Sequence, residues 1–430
     1  MIKHNKPVSH SENMFQLGFQ KGYQEGVNQG KQSFGTYFEG TSIIIPSYNQ
    51  KGLLMECIES IEAYTAPPYE IIVIDNGSED GTAEQLIGRR GTIRVVKNEQ
   101  NLGFARAINI GLMMAKGNYI VLMNNDVLVT EGWLDQLLNC LNSNKEIGAV
   151  GPVTNYISGE QQIGVPYEDI QGMREFSITF NKRDATKWKL CDRLVGFCIL
   201  MPRSTFEDVG YLDEGYEIGN FEDDDWILRL RFQGKQMMIA GDTFVHHYGS
   251  VTMKGLGQQG FLQVNQSNED FFTQKWGRGF ELLANMKLNM RSNSHPLRSI
   301  DFFPSHVFIK SWSGRIYWLA NGVKHPVPDS IQVEHAGATR LSVIELLNIP
   351  TGPSYQPAIH QPSQQDLEGR FIFTTDRHYY QIENSRLREF TSSYACQQWG
   401  ILTQCIEMHS PDLPQGLPIL PPLRLQSQDL

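Results

Sequence analysis

The chain lacks any uninterrupted apolar run of the ~18 residues that a membrane-spanning helix needs. Its longest apolar region, Ile108 to Val129, is broken by Lys116, Gly117, Asn118 and Asn124-Asn125-Asp126. The opening residues, Met1 to Pro7, lack the apolar core of a secretory signal. Closely spaced cysteines are missing too: the six, at positions 57, 140, 191, 198, 396 and 405, include no Cys-x-x-Cys pair. Such spacing argues against a zinc site or a disulfide scaffold and for a reducing, cytoplasmic setting. No block of lysine and arginine stands out, and the formal net charge is -10. A general affinity for nucleic acid is thereby excluded.

What is present is an ordinary globular composition, 40% hydrophobic and 20% charged, over 430 residues. That length holds two or three domains. Residues 1–40 are polar, with Gly18, Gly22, Gly26 and Gly30 recurring every fourth position. On a helix these would line one stripe open to close approach, at a cost of about 1 kcal/mol per glycine. A flexible leader reads equally well. From Ser42 short β-rich runs alternate with helical stretches: Ile43 to Ile45, a helix near 51–64, Ile71 to Ile74, a helix near 80–88, Ile93 to Val96, a helix near 104–115, and Tyr119 to Met123. Near-continuously apolar strands belong to a mostly parallel sheet covered by helices on both faces. Ligands of such doubly wound folds sit beyond the carboxyl ends of the strands. The expected division is a leader at 1–40, an α/β domain at 41–295 and a β-rich module at 300–425. In that module Arg315-Ile-Tyr-Trp-Leu-Ala-Asn-Gly-Val-Lys returns as Arg377-His-Tyr-Tyr-Gln-Ile-Glu-Asn-Ser-Arg, sixty-two positions later. A tandem repeat of ~60 residues, each an aromatic hairpin, is predicted, with Asn321-Gly322 as a tight turn.

Polar groups gather at the strand ends. Asp75-Asn76-Gly77-Ser78 suits a helix cap, or a carboxylate that accepts from a base or ribose edge, beside which Tyr48 can stack. Asp126 after a buried strand suits a turn, or a hard cation that takes its other ligands from phosphate and water. Glu222-Asp223-Asp224-Asp225 packs four carboxylates together, so some need raised pKa values or cationic partners. The run is a solvated acidic turn or the source of a general base. His246-His247 follows a short apolar run and is a structural pair or the completion of a metal site.

Taken in order, these segments resemble the family 2 glycosyltransferases of the GT-A fold, a Rossmann-like α/β class. The matching segments are Ser42-Ile-Ile-Ile-Pro-Ser-Tyr-Asn49, Ile71 to Ser78, Asn101-Leu-Gly-Phe-Ala-Arg106 with Asn109, and Met123-Asn-Asn-Asp-Val127. They continue with Val195 to Arg203, Gly210-Tyr-Leu-Asp-Glu214, the Glu222-Asp223 cluster, and His247 with Gly249 and Thr252. The most similar branch contains bacterial rhamnosyl- and galactofuranosyl-type cell-envelope transferases. The resemblance implies that Pro46, Tyr48, Asp75 and Asn76 hold the nucleoside and that Arg106 lies near the diphosphate. Asn124 and Asn125 would face the donor. Asp126 would bind Mn²⁺ or Mg²⁺, joined by His247, with His246 as the alternative. Asp223, or Glu222 in its place, would be the base, with Gly196 and Phe197 walling the donor sugar. The implied donor is a UDP- or dTDP-sugar, the acceptor a glycan or surface hydroxyl, and the displacement inverting. Asn124 stands where the family's metal motif carries its first aspartate. Together with the repeats it keeps open a degenerate core that acts as a carbohydrate-binding scaffold. The leader and repeats resemble those of transferases from spore-forming bacteria, some linked to the spore surface, and either is a candidate oligomer contact. A nucleotidyltransferase would need a Gly-rich basic loop after the first strand, where Pro46-Ser-Tyr-Asn-Gln-Lys-Gly stands instead.

Overall fold

Side chains of the first strands alternate between two cores. A computed structural model describes residues 35–87, 89, 93–249, 257–289, 296–333, 337–360 and 367–426, with Lys21 and Glu25. The glycines at 18, 22, 26 and 30, and Thr252, lie outside the described residues. Contacts separate Met1–Glu39 from Gly40–Leu430. Within the second unit, Ile43 and Ile45 of β1 (Phe38–Ser47) join Leu54, Cys57, Ile58 and Ile61 of α1 (Lys51–Tyr64) on one face. Ile44, with Ile72 and Ile74 of β2 (Tyr69–Asp75), joins Ala105, Ile108 and Leu112 of α3 (Phe104–Met114) on the other. This period of two, with apolar residues on both sides, is why the strands read as unbroken hydrophobic runs. Helix α3 lies so close to β1 that a Cβ at Gly111 would stand 2.3 Å from Ile44 Cγ2.

Helix α2 (Thr82–Ile87) leads to β3 (Ile93–Lys97), and β4 (Gly117–Met123) and β5 (Val127–Leu128) follow α3. The main sheet is completed by β6 (Ile147–Val153), β7 (Trp188–Cys191), β8 (Cys198–Pro202) and β9 (Gln236–Phe244), in the order β3-β2-β1-β4-β8-β6-β9-β7. Strands β1, β2 and β3 are parallel, as are β6 and β9. Strand β8 runs antiparallel to both β4 and β6, and β7 antiparallel to β9. A short antiparallel pair joins β5 to β10 (His246–His247). Helices α4 (Trp133–Leu141), α5 (Ile170–Phe180), α6 (Arg203–Val209), α7 (Glu222–Phe232), α8 (Gly257–Trp276) and α9 (Gly279–Asn289) complete this part. No helix among the described residues is long and apolar enough to cross a membrane.

Beyond it stand two small sheets of one design. The first holds β11 (Val307–Lys310), β12 (Ile316–Ala320), β13 (Val323–Pro326) and β14 (Thr339–Arg340). After α10 (Val343–Asn348) and α11 (Pro357–His360), the second holds β15 (Phe371–Phe373), β16 (Tyr379–Glu383), β17 (Arg386–Glu389) and β18 (Ile406–Glu407), with α12 (Ser393–Gln398) before the last strand. In both, the order is third-second-first-last, and the first strand pairs antiparallel with the second and parallel with the last. Asn321 (φ 51°) and Gly322 (φ 71°) form the expected hairpin turn, and Asn384 (φ 53°) and Ser385 (φ 57°) repeat it. The two copies share one core, with Ile309 and Leu341 of the first beside Phe371 and Trp399 of the second. Leu423 then returns to the helix-covered face of the main sheet.

Behind α7 lies a buried ionic cluster. Lys275 is 0% exposed and its ammonium lies 2.5 Å from Asp213 and 2.6 Å from Asp225. Arg229 approaches the other oxygen of Asp225 at 3.1 Å and donates to the Val209 and Tyr211 carbonyls. Tyr216 and Trp276 donate to Asp225 as well. Two cations thus meet two carboxylates. Removing one charge leaves the others buried and uncompensated. Lys275→Met is expected to destabilise the fold by about 3–5 kcal/mol, read from denaturant unfolding. Wild-type stability in that variant would show that the cluster holds nothing together.

Candidate functional site

The carboxyl ends of β1 and β2 lie in register, Ser47 opposite Asp75. β4 delivers Asn124 beside Phe197, whose carbonyl accepts from the Asn124 backbone at 2.9 Å. Asn125 closes the gap to β1 by donating to Ser47 Oγ at 3.0 Å. A cleft of about 200 Å³ opens over these ends. Pro46, Tyr48, Asn76, Asn124, Asn125, Asp126, Gly196, Phe197, Glu222, Asp223 and His247 all line it. Eleven residues predicted from six separated segments therefore converge on one cleft.

Three predicted residues stand behind that wall. Asp75 is fully buried; one oxygen accepts from the Ser78 backbone at 2.9 Å and the other has no partner. It caps no helix, since Asp80 takes that place for α2 by accepting from the Thr82 backbone. Arg106 points to the buried Glu214, 3.6 Å away. His246 projects to the opposite side of its strand from His247, as neighbouring strand residues must. Its Nδ1 lies 2.7 Å from the Tyr167 hydroxyl, and burial followed by the nearby His247 lowers its pKa to about 4. Asn76 lines the cleft, but its side chain is occupied: it donates to Asn101 and Gly103 and accepts from Asn98 and Leu102. Its visible work is to hold the loop before α3.

Asp126 and His247 form the polar centre. His247 Nδ1 lies 2.7 Å from the Tyr156 carbonyl, which can only accept, so that nitrogen carries the proton. Nε2 is then a lone pair, and it stands 3.2 Å from Asp126 Oδ1 without a hydrogen-bond partner. Two buried acceptors this close repel unless a cation or a second proton lies between them. Phe197 stacks on the imidazole at 5.3 Å and fixes its plane. An imidazole and a carboxylate aimed at one point fit a divalent cation. Among the described residues no three ligating side chains converge, so such an ion would draw its remaining ligands from a bound phosphate or from water.

The acidic run divides its four charges. Asp224 pairs with Arg193 through both oxygens, at 2.5 and 2.9 Å. Asp225 turns inward to Lys275; burial alone would raise its pKa, but Lys275 and Arg229 hold it below the ordinary value. Glu222 and Asp223 face the cleft. Burial, then the charge of Asp223, drives Glu222 well above the usual carboxylate range, and its Oε2 has no partner. Asp223 accepts from the Gly196 and Asp224 backbones at 2.9 Å each. Burial and Asp224 nevertheless raise its pKa to about 6. A Cβ at Gly196 would stand 3.3 Å from that carboxylate, so this wall admits only glycine without displacement.

Sequence reasoning missed the far wall, Ile218-Gly219-Asn220, where Ile218 (φ 57°), Asn220 (φ 81°) and Phe221 (φ 74°) are left-handed. Such backbone persists only when its surroundings impose it. Asn268 of α8 does so, donating to the carbonyls of Glu217, Gly219 and Asn220 and accepting from the Glu217 backbone. No local signal marks Ile218 or Asn268. Asn101 and Phe104, also on the wall, were legible as part of the segment that ends at Arg106.

Residues 42–210 match the model of glycosyl transferase family 2, which bears out the resemblance over that segment. Glycosyltransferase GlyG of Streptococcus pneumoniae is 32% identical over 156 residues, 34% of this chain and 51% of its own. An N-acetylglucosaminyl-diphospho-decaprenol L-rhamnosyltransferase of Mycobacterium tuberculosis is 26% identical over 204 residues, 40% of this chain and 65% of its own. The chain thus spans about half the length of the first of these relatives. Among solved structures, GalNAc-T7 with UDP, GalNAc and Mn²⁺ superposes with a TM-score of 0.41 at 17% identity, over 56% of this chain and 51% of its own.

The raised pKa of Asp223 has a thermodynamic signature. The fold favours its protonated form, so the group adds stability below its unfolded pKa of about 3.9. That stability is lost as pH rises through about 6. Urea unfolding is expected to show a falling free energy over this range, with a shallower fall in Asp223→Asn. Equal slopes in the two proteins would mean that the carboxyl titrates alike folded and unfolded.

Proposed function

We propose that this chain, whose residues 42–210 carry the family 2 glycosyltransferase match, moves a sugar from a nucleoside diphosphate donor, a UDP- or dTDP-sugar, to a hydroxyl of a glycan or surface acceptor. The observation that carries this reading is the convergence in one cleft of the Asp126–His247 pair and a carboxylate with a pKa of about 6. A base works best when its pKa lies near the working pH, and Asp223 meets that condition. Glu222, which burial pushes further above the ordinary carboxylate range, is the alternative base.

In this reading Pro46 and Tyr48 bear on the base of the nucleotide, and a small opening of the wall in front of Asp75 brings its unpaired oxygen to the base edge or ribose. Asn76 acts through the loop it holds, which leads to Arg106 on the diphosphate side. Asn124, Asn125, Gly196 and Phe197 bound the donor sugar. Asp126 and His247 would hold Mn²⁺ or Mg²⁺, which when bound supplies charge neutralisation to the departing diphosphate. Asp223 takes the proton of the acceptor hydroxyl while its oxygen forms the new bond to the anomeric carbon. The bond from that carbon to the diphosphate breaks on the opposite side, and the diphosphate leaves with the electron pair. The configuration therefore inverts. Removal of one general base typically costs a factor of about 10²–10⁴.

Asp223→Asn is expected to lower transfer by at least ~100-fold while nucleotide binding in the presence of Mn²⁺ persists. Unchanged turnover would take the base role from Asp223. Asp126→Asn is expected to weaken UDP binding when Mn²⁺ is present and to leave the metal-free affinity unaltered, as read by calorimetry. A scaffold reading has its own support in Asn124 and in the two-ligand centre. Failure of the full chain to bind any nucleoside diphosphate with Mn²⁺ would decide for it.

A further inference from the structure

Two thiols outside the cleft meet in the second C-terminal sheet. Cys396 and Cys405 are nine positions apart, and their sulfurs lie 3.7 Å from each other. The turn between them is closed by the backbone, with Trp399 donating to Ala395, Gly400 at φ 70° and Ile401 donating to Cys396. Cys396 sits within α12 and is fully buried, whereas Cys405 is half-buried just before β18. The remaining cysteines have no thiol partner of this kind among the described contacts, and Cys57 and Cys198 are fully buried. All six cysteines are free, and the turn after α12 brings these two together across their sequence separation.

We propose that Cys396 and Cys405 form a reversible intramolecular disulfide by exchange with a small disulfide such as oxidised glutathione. The sulfurs would close from 3.7 Å to the S–S bond length of about 2.05 Å. Cys405 is the reachable thiol and so the attacking one. The hydrogen bond it shares with Cys396 lowers its pKa from the ordinary value, which favours the nucleophilic thiolate. Its sulfur attacks the external disulfide, forms a mixed disulfide and releases one glutathione thiolate. Cys396 then attacks the sulfur of Cys405, its proton passes to the second departing glutathione, and the internal bond closes. The protein dithiol loses two electrons and two protons, and oxidised glutathione gains them as two thiols.

The bond would tie α12 to the strand that pairs with β15. Helix α12 is capped by Ser392, whose hydroxyl donates to the Lys275 carbonyl at 2.7 Å. The staple therefore falls on the element that seats the second sheet against the end of α8. The first sheet has no cysteine, so the two copies would differ in this respect.

The test is a peptide map. Full-length protein is incubated under native conditions with oxidised glutathione, then denatured, alkylated and digested without reductant. The expected product joins the Cys396 and Cys405 peptides, lacks two hydrogens and carries no glutathione, while the other four cysteines are alkylated. Cys405→Ser is expected to abolish the link, and Cys396→Ser to leave glutathione trapped on Cys405. Alkylation of both thiols in the wild type, or retained glutathione on Cys405 beside a free Cys396, would overturn the proposal. The wild-type map decides even where a variant folds poorly.

Discussion

The ammonium of Lys275, sealed from water between Asp213 and Asp225, is the interaction on which the rest of the arrangement depends. It fixes the rotation of α7 about its axis, because Asp225 must face inward to meet it. Once Asp225 is committed, the preceding residues have no freedom: Asp224 falls toward Arg193, and Glu222 and Asp223 fall toward the cleft. Lys275 also anchors α8, and Asn268 on the same helix clamps the left-handed loop at 217–220. An interaction with no atom in the cleft thus sets two of its walls. A buried ionic cluster of this kind adds little net stability compared with apolar packing. What it adds here is orientation.

The acidic run shows how one helix turn separates four like charges. Repulsion among neighbours is relieved for Asp224 and Asp225 by cations of opposite character, one exposed guanidinium and one dry ammonium. The two carboxylates left over receive no cation of equal strength and titrate high. The perturbed acid is therefore a residue of the pairing pattern around it. Gly196 completes the arrangement by giving its backbone N–H to Asp223 from a loop that also carries Phe197 against His247. The acidic wall and the Asp126–His247 wall are linked through two consecutive residues.

Much of this could be read from the chain because burial leaves a plain mark. Strands β1, β2 and β4 must be apolar throughout, so the polar residues that end them, at 46–48, 75–76 and 124–126, stand out. The division between Glu222, Asp223 and their neighbours was visible only as a need for partners. Which partner went where depended on Arg193 and Lys275, both far away in sequence and unremarkable in composition. Ile218 at positive φ runs against its own preference, so no local rule could place it. Asn76 looked like a ligand residue and turned out to be consumed by loop contacts, because an amide with four hydrogen-bonding positions serves either purpose. His246 and His247 are adjacent in the chain, and only the pairing of β10 with β5 shows which of them meets Asp126.

Leu423 belongs to the same apolar cluster as Ile44 and Ile108, and the Arg424 carbonyl accepts from the Glu214 backbone. The face that begins with β1 is thus closed by a segment made after both small sheets. During synthesis on the ribosome, the α/β half would emerge with that patch of its core uncovered. It would stay so while both small sheets were still being translated, a long interval in which a holdase or a transient intramolecular cover would have work to do.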